Sequence, residues 1–263
     1  MLPVSRPTLL VLQLGVAAAF IAFWHVATAY ALFGDVKTMK FFFSTPWDVG
    51  ARVVKMVVGG EVWYHLSITL TETLLAFGIG AGGGILIGFW FARKPLVAAI
   101  FDPYVKAINA LPRVVLAPIF ALWFGLGIWS KVALGVTLVF FIVFFNVYQG
   151  VRDVNQTILS NAKMLGMNER QLLRHVYWPS ALGWVFSSLH TSVGFALVGA
   201  VVGEYLGSAA GLGYLIHQAE GVFDVTGVFA GMAILMVFVI IIDSIVTLIE
   251  NRLLVWKPGE TRT

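Results

Sequence analysis

Apolar runs long enough to cross a bilayer recur along this chain, at about 9–33, 66–91, 96–124, 131–150, 181–202 and 227–250. About 20 predominantly apolar residues span a hydrocarbon core about 30 Å thick. In lipid every backbone N–H and C=O must find a partner inside the protein, and a continuous apolar run does this as a helix. Composition agrees: hydrophobic residues make up 59% of the 263 and charged residues 11%, with a mean hydropathy of +0.90. A soluble domain carries about a quarter charged residues. The expected fold is all-α and integral to the membrane, with six transmembrane helices. The third run contains Pro103, Pro112 and Pro118. Proline removes an amide donor and clashes with the preceding turn, so this span is expected to be bent or broken.

Lys and Arg placement orients the chain. With the N-terminus in the cytoplasm, the inner side receives ten of the 17 Lys and Arg residues and the outer side five, Lys131 among them. Lys106 and Arg113 remain in the bent third span. This follows the excess of cations on cytoplasmic loops and places both termini inside. The basic start followed by a long apolar run is expected to be a retained first helix and not a cleaved signal. Four of the outer cations lie in 34–65, where "TPWDVGARVVKMVVGG" reads as an amphipathic helix on the outer surface. Its Trp47, Val53, Val54, Val57 and Val58 are candidates to face lipid. The net charge of +4 fits contact with anionic headgroups, and no cluster of cations is large enough for a nucleic-acid footprint. The absence of cysteine excludes thiolate metal sites, disulfides and thiol catalysis.

The second span is dense in glycine. Gly78 with Gly82, Gly80 with Gly84, and Gly84 with Gly88 have the spacing that lets two helices approach closely, within the bundle or against a partner subunit. The G-x-G-x-x-G pattern here has no preceding strand and no acidic residue at the dinucleotide-binding distance.

The segment 152–180 breaks the apolar monotony. Asp153 with Gln156 suits the opening of a helix through "QTILSNAKML". Gly166 suits the left-handed residue that ends it. Asn168 suits the cap of a second helix, "ERQLLRHVYW", with Leu172, Leu173, Val176 and Tyr177 along one stripe. Trp178 and Pro179 are expected to stop that helix and begin the next span. Ile158, Ala162 and Leu165 form the apolar stripe of the first helix. Two short helices hinged at a glycine make a knob on the positive side of the membrane. It either lies on inner headgroups or receives a cytosolic partner.

This knob resembles the cytoplasmic loop of binding-protein-dependent ABC importer permeases, whose pattern runs E-A-A, three residues, G, nine residues, I-x-L-P. Ala162, Gly166, Val176 and Pro179 fit it, while Ser160, Asn161 and Trp178 depart from it. "FDPYVKAINALPRVVLAPIFALWFGLGIWSKV", "FNVYQGVRDV" and "VGAVVGEYLGSAAGLGYLI" are similar to further blocks of the same family, in the same order. The chain is identified as a member of the nitrate/sulfonate/taurine-type branch, which also includes importers of pyrimidine-like and aromatic compounds. The resemblance implies a type I ABC importer permease core acting with a second copy of itself. It implies two cytosolic ABC ATPase subunits and an extracytoplasmic solute-binding protein as partners. It further implies that Asn161, Ala162, Lys163, Met164, Leu165, Gly166, Met167, Asn168 and Pro179 couple ATPase closure to the membrane domain. The expected organisation is an N-terminal helix and outer amphipathic segment at 1–65, a permease core at 66–250, and a cytoplasmic tail at 251–263, in the inner membrane.

The chain has no P-loop, no metal-ligand spacing and no Ser/His/Asp arrangement. It is therefore expected to be no enzyme and to bind no cofactor, with ATP and Mg used by the partner ATPase. A self-contained secondary carrier is the alternative, and it would need inverted repeats or paired intramembrane carboxylates. Polar groups in lipid are costly unless paired or facing a cavity. On that ground Glu72, Asn109, Asn146, Ser188, His190, Ser192 and Glu204 are candidates for the translocation pathway. Asn146 can also bridge two helices, and the glycines after Glu204 suggest a re-entrant turn that is either an outer gate or simple turn structure. Sulfonate-type relatives tend to carry arginine at the Glu72 position and near His190. An acidic group in the path disfavours anions and suits a neutral or cationic cargo, unless it is paired.

Overall fold

A computed structural model describes residues 6–31 and 34–253. The ends of the expected first span and of the expected tail, at 32–33 and 254–263, lie outside the described residues. Among the described residues every regular element is helical: α1 (Arg6–Ala29), α2 (Val36–Phe43), α3 (Pro46–Val58), α4 (Glu61–Arg93), α5 (Pro95–Asn109), α6 (Ala117–Phe124), α7 (Ile128–Arg152), α8 (Gln156–Met164), α9 (Glu169–Leu172), α10 (Trp178–Leu206), α11 (Leu212–Gly221) and α12 (Val225–Leu253). Five helical stretches among the described residues are long and apolar enough to cross a membrane. α5 and the segment Arg113–Phe124 pass the same test only together and meet at 85°, as a broken span or a re-entrant loop does. Five of the six expected spans are thus long apolar helices, and the expected third is this bent pair. Pro103 lies inside α5 without ending it, and the bend falls at Pro112, which precedes a 3-10 turn (Arg113–Leu116). Pro118 occupies the first turn of α6, where a missing amide is tolerated.

The chain divides into two compact units. The first comprises residues up to 63 together with 215–236. Segment 34–65, expected to hold one surface helix, holds two. Asp35 caps α2 by accepting from the Thr38 N–H and hydroxyl, and these bonds hold its carboxyl below the usual carboxylate range. Thr45 caps α3, and Pro46 starts it. On α3 Trp47, Val54 and Val58 point outward, Val53 is half-buried and Val49 is the buried anchor. Within this unit Trp24 of α1 donates to the Phe43 carbonyl and packs on Phe229, and Arg52 pairs with Asp224.

The second unit comprises 64–214 with the residues from 237 onward. Its core is the packing of α4 and α10 on α7, around Ala76, Val139, Val143, Val147, Val185 and Ala196. Glycines set the helix separation. A Cβ on Gly80 or Gly84 would stand 2.7 or 2.8 Å from the Cβ of Val139 or Val143. The 80/84/88 stripe therefore serves packing within the bundle, whereas Gly78 and Gly82 have nothing within 4 Å of an added Cβ.

Candidate functional site

The segment following α7 folds as two short helices with defined ends. Asn155 caps α8, its side chain accepting from the Thr157 N–H at 2.8 Å. The expected cap at Asp153 is thereby corrected: Asp153 terminates α7, and its carboxylate accepts from Gln149. At the far end Leu165, Gly166 and Met167 return their N–H groups to Asn161, Lys163 and Ala162. This is the Schellman arrangement, and Gly166 is its left-handed residue with φ +78°. A side chain at 166 would meet nothing within 4 Å, so it is backbone conformation and not space that favours glycine there. Asn168 and Gln171 form a reciprocal capping box that opens α9.

The two helices close on a small core of their own, made by Val154, Leu159, Ala162, Leu172 and Val176 with Met167 and Tyr177 beside it. The inward stripe of α8 is therefore Leu159 and Ala162. Ile158 and Leu165, expected on that stripe, are exposed at 54% and 80%, and Met164 is exposed at 78%. The knob thus presents Ile158, Met164 and Leu165 outward around Gly166, flanked by Asn161, Lys163 and Asn168, also exposed.

Pro179 does not stop the second helix. α9 continues through a π turn (Leu173–Tyr177) directly into α10, so that 169–206 runs as one continuous helical stretch. The Trp178 N–H reaches back five residues to the Leu173 carbonyl. A widened turn shifts the carbonyls that a proline ring would otherwise strike, which accommodates Pro179 in the first turn of α10. The knob is consequently joined to the span without a loop.

Within the bundle, the structure gathers some polar candidates and separates others. Glu204 is fully buried. It accepts from the Thr69 hydroxyl at 2.6 Å and from the Gly213 N–H at 2.7 Å. Thr69 in turn accepts from the Leu212 N–H at 2.9 Å, and His65 Nδ1 accepts from the Gly211 N–H at 3.0 Å. The turn after α10 is thereby tied to α4 by side chains. Glu72, also buried, adjoins both Glu204 and Lys131, and its Oε2 has no partner. Lys131 is 1% exposed and donates to the carbonyls of Leu126 and Gly127. Sequence reasoning placed Lys131 among outer-surface charges. The available signal was its position as the first residue of an apolar run, where a cation drawn into the bundle requires a counter-charge.

The remaining candidates are apart from this cluster. Ser188 and Ser192 are buried and donate to carbonyls of their own helix, at Val185 and Ser188. Asn146 donates to the Ile142 carbonyl of its own helix and does not bridge to another. Asn109 ends α5 and accepts from Arg113 across the bend. His190 lies 3.6 Å from Asp243 of α12, beside a small apolar cavity lined by Phe77, Phe186 and Val246. Among the described residues no group of His, Asp and Glu is arranged to hold a metal.

Residues 84–255 match the family model described as "Binding-protein-dependent transport system inner membrane component". The chain belongs to that family. A putative aliphatic sulfonates transport permease of Bacillus subtilis is 32% identical over 81% of this chain and 77% of its own length. The formylaminopyrimidine transport permease of Halalkalibacterium halodurans is 37% identical over 74% of this chain and 78% of its own. A crystal structure of an amino acid ABC transporter with histidines shares the fold, with a TM-score of 0.61 at 21% identity over 76% of this chain and 97% of that one. The protein is thus a multi-pass transport permease, the transmembrane subunit of an ABC importer, and not an enzyme.

Proposed function

We propose that the knob at 155–177 is the coupling element through which a separate cytosolic ATPase drives this permease. The carrying observation is the exposed apolar tip, Ile158, Met164 and Leu165, mounted on a knob with its own core and joined to α10 by unbroken helix. An apolar tip on a polar element marks a docking surface. A capped helix pair continuous with a span carries rigid-body motion into the membrane, where a loop would absorb it. On this reading two ATPase subunits use ATP and Mg, one on each knob of a homodimer, while this chain binds no cofactor. The knob and both termini face the cytoplasm of an inner membrane, and an extracytoplasmic binding protein delivers a small organic solute. The sulfonate and formylaminopyrimidine relatives bracket an anionic and an uncharged cargo. Because Glu72 adjoins Lys131, its charge alone does not choose between them.

The test is purification of the tagged chain from cells that express its neighbouring components, with uptake measured in the same cells. Co-isolation of an ATPase, with transport abolished by mutation of that ATPase, is the expected result; ATP-independent uptake by the chain alone defeats the proposal. Gly166→Val should leave assembly intact and lower uptake about three- to tenfold, in the range expected when coupling falls by about 0.5–2 kcal/mol. Gly166→Asn tolerates the left-handed backbone and should retain more activity.

A further inference from the structure

Where α4 ends, a cleft of about 820 Å³ opens between it and the π turn that leads into α10. Its polar wall holds Arg93, Lys94 and Arg174 against the single carboxylate of Glu169. That carboxylate is engaged by Arg93. Among the described residues no carboxylate pairs with Lys94 or Arg174, so the cleft carries an excess of two cations. Its other wall is apolar and aromatic: Leu86 is 72% exposed, Trp90 52%, and the Trp178 ring lies 5.2 Å from that of Phe89, tilted by 30°. The arrangement is graded along one axis. Exposed Leu86 lies two turns before the helix end, Trp90 one turn before it, and the cations at the end itself. Apolar, aromatic, then basic is the order in which a phospholipid presents acyl chain, glycerol region and phosphate.

We propose that this cleft binds one anionic phospholipid per chain, with the phosphate between Lys94 and Arg174 and an acyl chain along Leu86 and Trp90. A purely electrostatic surface would not need the aromatic wall, and a lipid-facing helix end would not need a cleft. The lipid would lie against the base of the knob, so that its headgroup contacts the segment that moves with α10. The inference rests on the cytoplasmic orientation proposed above, since anionic lipid is concentrated in that leaflet.

The test uses the full-length chain, purified, delipidated and offered phosphatidylglycerol or phosphatidylcholine in mixed micelles. Retained lipid is counted by native mass spectrometry. Phosphatidylglycerol should be retained at about one molecule per chain, with phosphatidylcholine lost, because headgroup attraction to juxtamembrane cations supplies the selectivity. In the double variant Lys94→Gln, Arg174→Gln, retention should fall to the phosphatidylcholine level while helicity and elution volume stay unchanged. Arg93 is left in place because it holds Glu169. Equal retention of the two lipids, or retention unaffected by the double variant, overturns the proposal. So does displacement of the lipid by millimolar inorganic phosphate, which would reveal a simple anion site, or by a bound ATPase, which would reveal a protein-docking face. The readout is independent of uptake and of ATPase co-isolation, so failure here leaves the coupling proposal standing, and failure there leaves this measurement interpretable.

Discussion

Thr69 illustrates how much of the bundle rests on single polar atoms. Its hydroxyl donates to Glu204 and accepts from the Leu212 N–H, joining α4, the end of α10 and the start of α11. Thr69→Val keeps the shape and leaves both a buried carboxylate oxygen and a backbone N–H without that partner. Such orphaned groups cost about 1–3 kcal/mol each. A lower thermal unfolding midpoint in detergent is the expected outcome, with Thr69→Ser close to the parent; an unchanged midpoint in the valine variant would mean that the turn is held by other contacts. Gly211 belongs to the same arrangement, since it has φ +112° and a Cβ there would run into the Glu204 carboxyl. Gly211→Ala should therefore perturb the turn through both strain and collision. Neither role was readable from residue type alone. A threonine in an apolar run usually bonds to its own preceding turn, as Thr73 does to Thr69. Lys131, at the edge of an apolar run, counts as a surface charge by position, and its burial shows in its contacts with the carbonyls of Leu126 and Gly127.

Elements show a sharper division between what local chemistry determines and what needs the folded neighbourhood. Spans follow from run length, and the broken third span follows from its prolines, because a lipid environment leaves the backbone few alternatives. Gly166 and Asn168 were legible for a similar reason: a Schellman end and an Asn-x-x-Gln box are self-contained within six residues. Asn155 was missed because Asp153, two residues earlier, is an equally good capping residue, and only the end of α7 decides between them. The π turn before Pro179 had no local signature, since proline after a short helix usually marks a stop. The glycine stripe needed the partner helix to show which of its faces is occupied. Gly84→Leu should accordingly overpack the contact with Val143 and Phe140, a change of a kind that costs about 1–3 kcal/mol or more. Gly78→Leu, on the open face, should be tolerated within the monomer. Comparing detergent-solubilised yield and unfolding midpoint of the two variants checks the assignment. Equal loss in both would indicate that the Gly78 face is also packed, against a second chain.

For the whole molecule the governing question is which end of the bundle faces the cytoplasm, because docking of an ATPase and of an extracytoplasmic binding protein requires opposite faces. The cation count points one way but is diluted by Lys37, Lys40, Arg52 and Lys55, which fall on the side assigned as outer. These four lie on two short capped helices, α2 and α3, and α3 presents Trp47, Val54 and Val58 outward. A surface helix of this kind carries its cations beside lipid headgroups on either face, so the four residues weigh less than cations in a simple loop. The knob weighs more, because Lys163, Arg170 and Arg174 lie close to the ends of two spans. The chain contains no cysteine, so single thiols report accessibility without background. Ser160→Cys on the knob and Lys55→Cys on α3 replace exposed side chains. In intact spheroplasts a membrane-impermeant maleimide should label position 55 and spare position 160. In inside-out vesicles the pattern should reverse. Labelling of position 160 from the exterior would place the apolar tip beyond the reach of any cytosolic ATPase and remove the basis for coupling.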